Sequence, residues 1–289
     1  MSYVCLNNEI INASEAKVSV FDRGFAYGDA LFETVKVING KPVFLREHYG
    51  RLKTGIRDAD FGAVPGLAEM SRQALVLAQK NEVELGRLRI LVTRGATEEP
   101  SGPDPAEGME PTVLITIEAF RGLPKEIYAT GVAVQTVAAN RGRYACFKSS
   151  GLMGAIMARK LAHDAGAREA ILTTGHGRIL EGAYSNIFFL AGNMLVTASS
   201  SDPILPGVTR QKIIDIAPDL GLVVEEHAPR LEALGFGETS AFLTSSLLGV
   251  CPVSEINGTP LRLQPEVCGR LADKLGALEL KDIESISLP

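Results

Sequence analysis

The stretch 147–210 constrains this chain more than any other, because it sets three chemically distinct features into one run that a single fold must reconcile. It opens with Lys148, in Phe147-Lys148-Ser149-Ser150-Gly151. Its middle is Arg178-Ile-Leu-Glu181-Gly-Ala-Tyr-Ser185-Asn186-Ile-Phe-Phe. It closes with Leu205-Pro206-Gly207-Val208-Thr209-Arg210.

Pro206-Gly207 precedes a run in which Val208, Ile213, Ile214 and Ala217 fall near helical spacing. The first turn of such a helix leaves N–H groups unpaired at the positive end of the dipole, and Thr209 adds a hydroxyl there. On those residues alone an ordinary helix start is the commoner reading. Glu181 stands where the Thr-Thr-Gly-His-Gly turn signal gives way to a strand-like run, and a buried glutamate there needs a cationic partner. Taken singly, a solvated turn glutamate is more frequent. Lys148 taken singly is a surface lysine, yet burial or a nearby cation turns such a group into a Schiff-base nucleophile. Together the three suit pyridoxal phosphate, which offers an aldehyde to an amine, a ring nitrogen to a carboxylate and a phosphate to a helix N-terminus.

The chain resembles the class IV aminotransferases, the fold-type IV pyridoxal-phosphate enzymes, over nearly its whole length. That family includes branched-chain and D-amino acid aminotransferases and 4-amino-4-deoxychorismate lyases. Asp22-Arg23-Gly24-Phe25-Ala26-Tyr27-Gly28-Asp29-Ala30-Leu31-Phe32-Glu33-Thr34 is similar to its opening motif, and Glu47-His48-Tyr-Gly-Arg51-Leu52 follows at the family's spacing. The resemblance implies that Arg51 binds the cofactor phosphate, that Lys148 forms the internal aldimine, and that Glu181 meets the pyridine nitrogen. It implies that Val208 and Thr209 hold the phosphate and that Leu205 packs on the ring face. The Phe242-Leu-Thr244-Ser245-Ser246 run matches a turn near the phosphate and the substrate carboxylate, so the resemblance places Ser245 on the cofactor and Ser246 on the substrate. The fold it implies is α+β and two-lobed, with a small N-terminal α/β lobe, a larger C-terminal lobe built on a barrel-like β core, and the site between them. It also implies a homodimer, since family active sites borrow a loop from the partner subunit.

Composition bounds the rest. A chain of 289 residues with a net charge of −5 and no Lys/Arg run is a poor match for a nucleic-acid surface. No apolar segment reaches the roughly 20 residues of a bilayer span, and the N-terminus lacks a signal-peptide pattern, so the expectation is a soluble, cytoplasmic protein. The four cysteines and four histidines show no metal-ligand spacing and no metal is expected.

Along the chain, residues 2–11 read as a hairpin around Asn7-Asn8, 17–21 as extended chain and 22–24 as a turn. A strand over 31–38 closes at Asn39-Gly40. Helices are expected at 46–57 and 66–81, strands at 87–94 and 112–119, and a Pro/Gly/acid-rich loop at 95–111 that is either a surface loop or a lid. A boundary near Arg121-Gly122-Leu123-Pro124 divides a domain over 1–121 from a pyridoxal-phosphate domain over 125–289. Beyond it, strands are expected at 131–138, 170–173, 187–190, 194–196, 222–226, 240–244 and 251–256, and helices at 152–165, from 208 and at 261–275.

The reaction implied by the resemblance is transfer of an amino group between an amino acid and a 2-oxo acid. The family alternative is pyruvate elimination from aminodeoxychorismate to give 4-aminobenzoate, and a remote one is a non-catalytic homologue. Lys148, Glu181, Arg51 and Thr209 are all intact, which a mere scaffold would not need. Phe32-Glu33-Thr34-Val35-Lys36-Val37 is most similar to the D-amino acid enzymes, which trap the substrate carboxylate with Arg and His just after Thr-Arg-Gly. Here Glu99 and Ser101 stand at those places, and a glutamate cannot build an anion trap. The branched-chain Phe-Glu-Gly-Ile-Arg version is also absent, and Gly151-Leu152-Met153 replaces the usual Asn-Tyr-Leu after the lysine. Substrate contacts are expected from Phe32, Tyr27, Ser246 and Arg94, with Arg89 and Arg143 as further candidate arginines.

Overall fold

The structure is a computed structural model, and it describes residues 2–98, 102, 104, 105, 108–139, 142–235 and 237–286. The chain divides into two units, the first made of Met1–Arg121, Phe147–Gly151 and Glu279–Pro289, the second of Gly122–Cys146 and Leu152–Leu278.

In the first unit, β1 (Tyr3–Leu6) and β2 (Glu9–Asn12) form the expected hairpin, followed by α1 (Arg23–Tyr27), β3 (Ala30–Ile38), β4 (Lys41–Pro42), α2 (Leu45–Asp58), α3 (Leu67–Lys80), β5 (Leu85–Thr93) and β6 (Val113–Ala119). The strands make one sheet in the order β2-β1-β6-β5-β3-β4. Leu31, Val35 and Val37 alternate onto the buried face of β3 and pack with Leu88, Ile90, Ile115 and Ile117 of its neighbours and with Leu52, Ile56, Met70 and Leu77 of α2 and α3. Asn39 and Gly40 both take positive φ (51° and 70°), the conformation a two-residue hairpin demands. The expected turn at 22–24 is instead the start of α1, because the Asp22 side chain accepts from the Gly24 amide and caps a helix.

The second unit runs α4 (Lys125–Thr130), β7 (Val132–Ala138), α5 (Met153–Asp164), β8 (Glu169–Thr173), β9 (Ile179–Gly182), β10 (Asn186–Ala191), β11 (Met194–Thr197), α6 (Val208–Ile216), β12 (Val223–Glu226), β13 (Ser240–Ser245), β14 (Gly249–Ile256), β15 (Thr259–Pro260) and α7 (Pro265–Glu284). Its sheet follows β12-β11-β10-β13-β14-β7-β8-β9, with β15 on β14, and curls into an open, barrel-like core. The β7–β8 and β11–β12 pairs are parallel, and each is bridged by a helix, α5 or α6, as parallel neighbours require. The mixed α+β class with a barrel-like core is what the sequence led us to expect.

Two helices depart from expectation. The run after Pro124, to which the sequence assigns no element, is a short helix, α4. The last helix is displaced, to 265–284 rather than 261–275. Leu261 is still tied to the preceding strand, its amide donating to the Ser254 carbonyl at 2.8 Å, and Pro265, with no N–H to lose, opens the helix. The helix runs past 275 because its buried stripe of Cys268, Leu271 and Leu275 continues through Glu279 and Ile283. No helix among the described residues is long and apolar enough to cross a membrane.

Phe188 of β10 lies directly opposite Phe242 of β13, and their rings stack with centroids 5.0 Å apart, both fully buried. This pair fixes the register that sets Asn186 against Thr244. Phe188→Ala is expected to cost about 3–5 kcal/mol by leaving a cavity. Urea unfolding followed by circular dichroism measures it, and a loss below about 1 kcal/mol would show that the stack carries little of the sheet.

Candidate active site

Lys148 is positioned by the first sheet. The Phe32 amide of β3 donates to the Lys148 carbonyl at 2.9 Å, Leu31 bridges to Ser149, and the Ser150 amide donates to the Ala30 carbonyl at 2.9 Å. The Ser150 hydroxyl donates to the Gly28 carbonyl at 3.0 Å. The segment 148–150 is thus held as an added partner of β3, and Lys148 Nζ comes to rest 4.9 Å from the centre of the Phe32 ring. The same ring carries the Arg89 guanidinium of β5 at 4.2 Å, so one aromatic face system gathers two cations. Arg89 is half-buried, and no carboxylate among the described residues pairs with it. Burial, with the neighbouring Arg87 charge, pushes its guanidinium down from the ordinary value.

Beneath Phe32 lies a charge network in which Arg51 is joined by Glu33 and His48, two residues to which the sequence assigns no role. Glu33 is fully buried on β3, in phase with the core residues Leu31 and Val35. Arg51 grips its carboxylate with Nε at 2.8 Å and Nη2 at 2.6 Å, and His48 Nδ1 lies 2.7 Å from the same group. His48 and Arg51 are three residues apart on α2 and so share a face of that helix. Burial alone would raise the Glu33 carboxyl, but the Arg51 charge and hydrogen bonds, with that of His48, hold it at about 2. Burial pushes the His48 imidazole below its ordinary value against the pull of Glu33, with the Arg51 and Lys148 charges adding to the depression. The signal was available: an acid in the apolar phase of a strand, and a His-x-x-Arg pair at helical spacing.

On the second unit, Glu181 sits buried on β9. Its Oε2 accepts from the Leu205 amide at 3.0 Å and from Asn186 Nδ2 at 3.5 Å, while the same Asn186 amide donates to the Leu205 carbonyl at 3.0 Å. Asn186 is a further residue to which the sequence assigns no role; it ties the glutamate to the chain that leads into α6. Val208 and Thr209 open α6 and are buried, as is Leu205, and Gly207 caps the helix without a side-chain hydrogen bond. A Cβ at 207 would collide with Asn186 Oδ1, so only glycine lets the helix start come this close to β10. The Ser185 and Thr244 hydroxyls are buried here with no hydrogen-bond partner among the described residues.

Other expected contacts are placed differently. Arg94 is spoken for by structure: Nε and Nη2 donate to Asp29 at 2.7 and 3.3 Å, Nη1 to the Asp60 carbonyl at 2.7 Å and Nη2 to the Ala59 carbonyl at 3.0 Å. With Phe61 also packed 4.3 Å beneath it, this guanidinium is a joint between loops and no longer a candidate for the substrate. Arg143 is exposed, lying over Tyr144. Tyr27 is half-exposed at the end of α1, with the Arg23 guanidinium 4.8 Å from its ring. The Ser245 hydroxyl accepts from the Leu248 amide at 3.3 Å and closes the β13–β14 turn, and Ser246 follows it in that turn. Glu99 and Ser101 lie outside the described residues. No group of three or more His, Cys, Asp or Glu among the described residues is arranged to hold a metal ion.

A family model for amino-transferase class IV matches residues 30–256. The chain belongs to the class IV aminotransferase family. It is 30% identical to a D-alanine aminotransferase of Staphylococcus aureus over 90% of this chain and 91% of that protein. The class IV fold is equally clear in a branched-chain aminotransferase structure from Thermoproteus uzoniensis, with a TM-score of 0.87, 25% identity, and coverage of 99% of this chain and 98% of that one. A candidate 4-amino-4-deoxychorismate lyase of Legionella pneumophila shares the fold at a TM-score of 0.81 and 22% identity, over 92% of this chain and 97% of that one.

A carboxylate held at about 2, against 4.5 for an ordinary glutamate, contributes stability that is complete above pH 4.5 and is lost as pH falls through about 2. Glu33→Gln is expected to show a shallower loss of stability across that window and to be about 3–5 kcal/mol less stable at neutral pH, since it strands Arg51 without its counter-charge. Urea unfolding at a series of pH values checks both, and unchanged slopes would remove Glu33 from the acid-sensitive groups.

Proposed function

We propose that this chain is a pyridoxal-phosphate-dependent aminotransferase that moves an amino group between an amino acid and a 2-oxo acid. The observation that carries the reading is Lys148 itself, pinned through its backbone to β3 with its amine over Phe32, in a chain of this family. The residues present fit the cofactor. Buried, unpartnered hydroxyls at Ser185 and Thr244, and a glycine-tight helix start at Gly207, are features a packed interior does not otherwise need.

When bound, pyridoxal phosphate supplies an electron sink for the bond being broken at the substrate Cα. Lys148 Nζ would hold it covalently, take the proton from the substrate Cα and pass it to the cofactor's aldehyde carbon, as transfer of the amino group requires. Glu181, oriented by Leu205 and Asn186, would set its carboxylate on the ring nitrogen. Thr209, the Val208 amide and Arg51 would hold the phosphate, with Leu205 against the ring. A guanidinium has five N–H donors, so Arg51 can serve both Glu33 and a phosphate. Ser245 and Ser246 would offer backbone amides from the β13–β14 turn.

Arg89 is the best-placed group for a carboxylate of the substrate. It shares the Phe32 ring with the reacting amine, is half-buried, and has no acidic partner among the described residues. With the α-carboxylate on the amides of the β13–β14 turn, a second carboxylate at Arg89 would favour dicarboxylic amino acids, or their oxo acids, as one of the two substrates. A homodimer and a cytoplasmic location belong to the same reading, and a stable active monomer in sedimentation would remove the first.

The test is a half-reaction in which holoenzyme is mixed with D- and L-amino acids or with aminodeoxychorismate while the cofactor's visible absorbance is followed. Loss of the band with an amino acid identifies the transaminase and its stereochemistry, whereas pyruvate and 4-aminobenzoate from aminodeoxychorismate, with amino acids inert, would identify the lyase instead. Lys148→Ala should reduce turnover by more than about 10³-fold. Arg89→Met should lower kcat/KM for dicarboxylic substrates about 10- to 100-fold while sparing neutral ones. An equal loss for both would return Arg89 to a structural role.

A further inference from the structure

The helix α2, which carries His48 and Arg51, begins in an unusual way. Its N-cap is Phe44, a buried non-glycine residue in the left-handed region (φ 53°, ψ 34°), and no side chain of its own caps the helix. A phenylalanine does not hold that conformation without support. The support comes from the far end of the chain: the Phe44 amide donates to Asp282 Oδ2 at 2.6 Å. The Phe44 carbonyl in turn accepts from the His48 amide at 3.1 Å. An anionic acceptor at the positive end of a helix is the favourable arrangement.

Asp282 does not act alone. One helical turn earlier, Glu279 accepts from Lys36 Nζ at 2.6 Å with its own carboxylate almost fully buried. Lys36 lies three residues after Glu33 on β3, and Lys41, just beyond the hairpin, donates to the Ile283 carbonyl at 3.1 Å. The last turns of α7 therefore grip both elements whose side chains meet at Glu33: β3 through Lys36, and the start of α2 through Phe44.

We propose that Asp282 is a positioning residue for Arg51, acting by capping α2 so that the guanidinium keeps its aim on the phosphate of the cofactor. Glu279 does the same for β3. This rests on the reading of Arg51 as a phosphate ligand. It assigns to the C-terminal helix a part in cofactor binding that no motif of the chain marks.

The experiment compares wild type, Asp282→Ala and Asp282→Asn for binding of pyridoxal phosphate and of pyridoxal, which lacks the phosphate, by absorbance titration of the chain freed of cofactor. Asp282→Ala should weaken pyridoxal phosphate about tenfold, the scale of one charge-assisted hydrogen bond, and leave pyridoxal unchanged. Asp282→Asn, which keeps the acceptor oxygen, should restore most of the affinity. Equal weakening toward both ligands, or none toward either, overturns the proposal. If Asp282→Ala fails to fold, the same ratio is read on Asp282→Asn and Glu279→Gln, and a phosphate-independent loss in both overturns it. If wild type takes up neither ligand at Lys148, the cofactor reading has failed. The capping role is then judged by hydrogen exchange at the His48 amide, where equal protection in wild type and Asp282→Ala overturns it.

Discussion

A carboxylate with no exposure to water governs the first unit. Glu33 occupies a position in β3 where the alternation calls for a leucine or valine, and its desolvation is tolerable only because Arg51 meets it with two hydrogen bonds and His48 with a third. That requirement fixes the distance between strand and helix, the rotation of α2 about its axis and the rotamer of Arg51. Lys148 is then added to the same strand through backbone pairing, so its amine inherits the rigidity of β3 rather than the freedom of a loop.

In the second unit Glu181 is buried as well, and its Oε2 accepts from a backbone amide and a side-chain amide, those of Leu205 and Asn186. Asn186 serves three neighbours: it donates to the carboxylate and to the Leu205 carbonyl, and its oxygen sits where a Cβ of residue 207 would go. The approach of α6 to β10 therefore leaves no room for a side chain at 207 while Asn186 holds this position. The stacked Phe188 and Phe242 rings behind it keep that register from slipping.

Legibility differed from element to element. The strand over 31–38 with its Asn39-Gly40 turn, and helices α2, α3, α5 and α6, were readable because the period of buried positions and the turn chemistry are both local. α1 and α4 were not, since helices of five and six residues carry too few periods to show one. α7 was misplaced because its apolar stripe includes Glu279, which reads as a break until its partner Lys36 is known. Arg94 attracted attention for its motif, yet its donors are taken up by Asp29 and by two carbonyls that no local pattern connects to it.

The sequence by itself determined the family, the α+β class and the residues Lys148, Glu181, Arg51 and Thr209 as chemical candidates, because each belongs to a contiguous motif whose residue types and spacing carry the information. Tertiary structure decided which groups share a charge: Glu33 with Arg51 and His48, Arg89 with Lys148 on one phenylalanine ring, Asp282 with the start of α2. Those partners come from separate elements, and only strand register and the cost of leaving a charge unpaired in the interior bring them together.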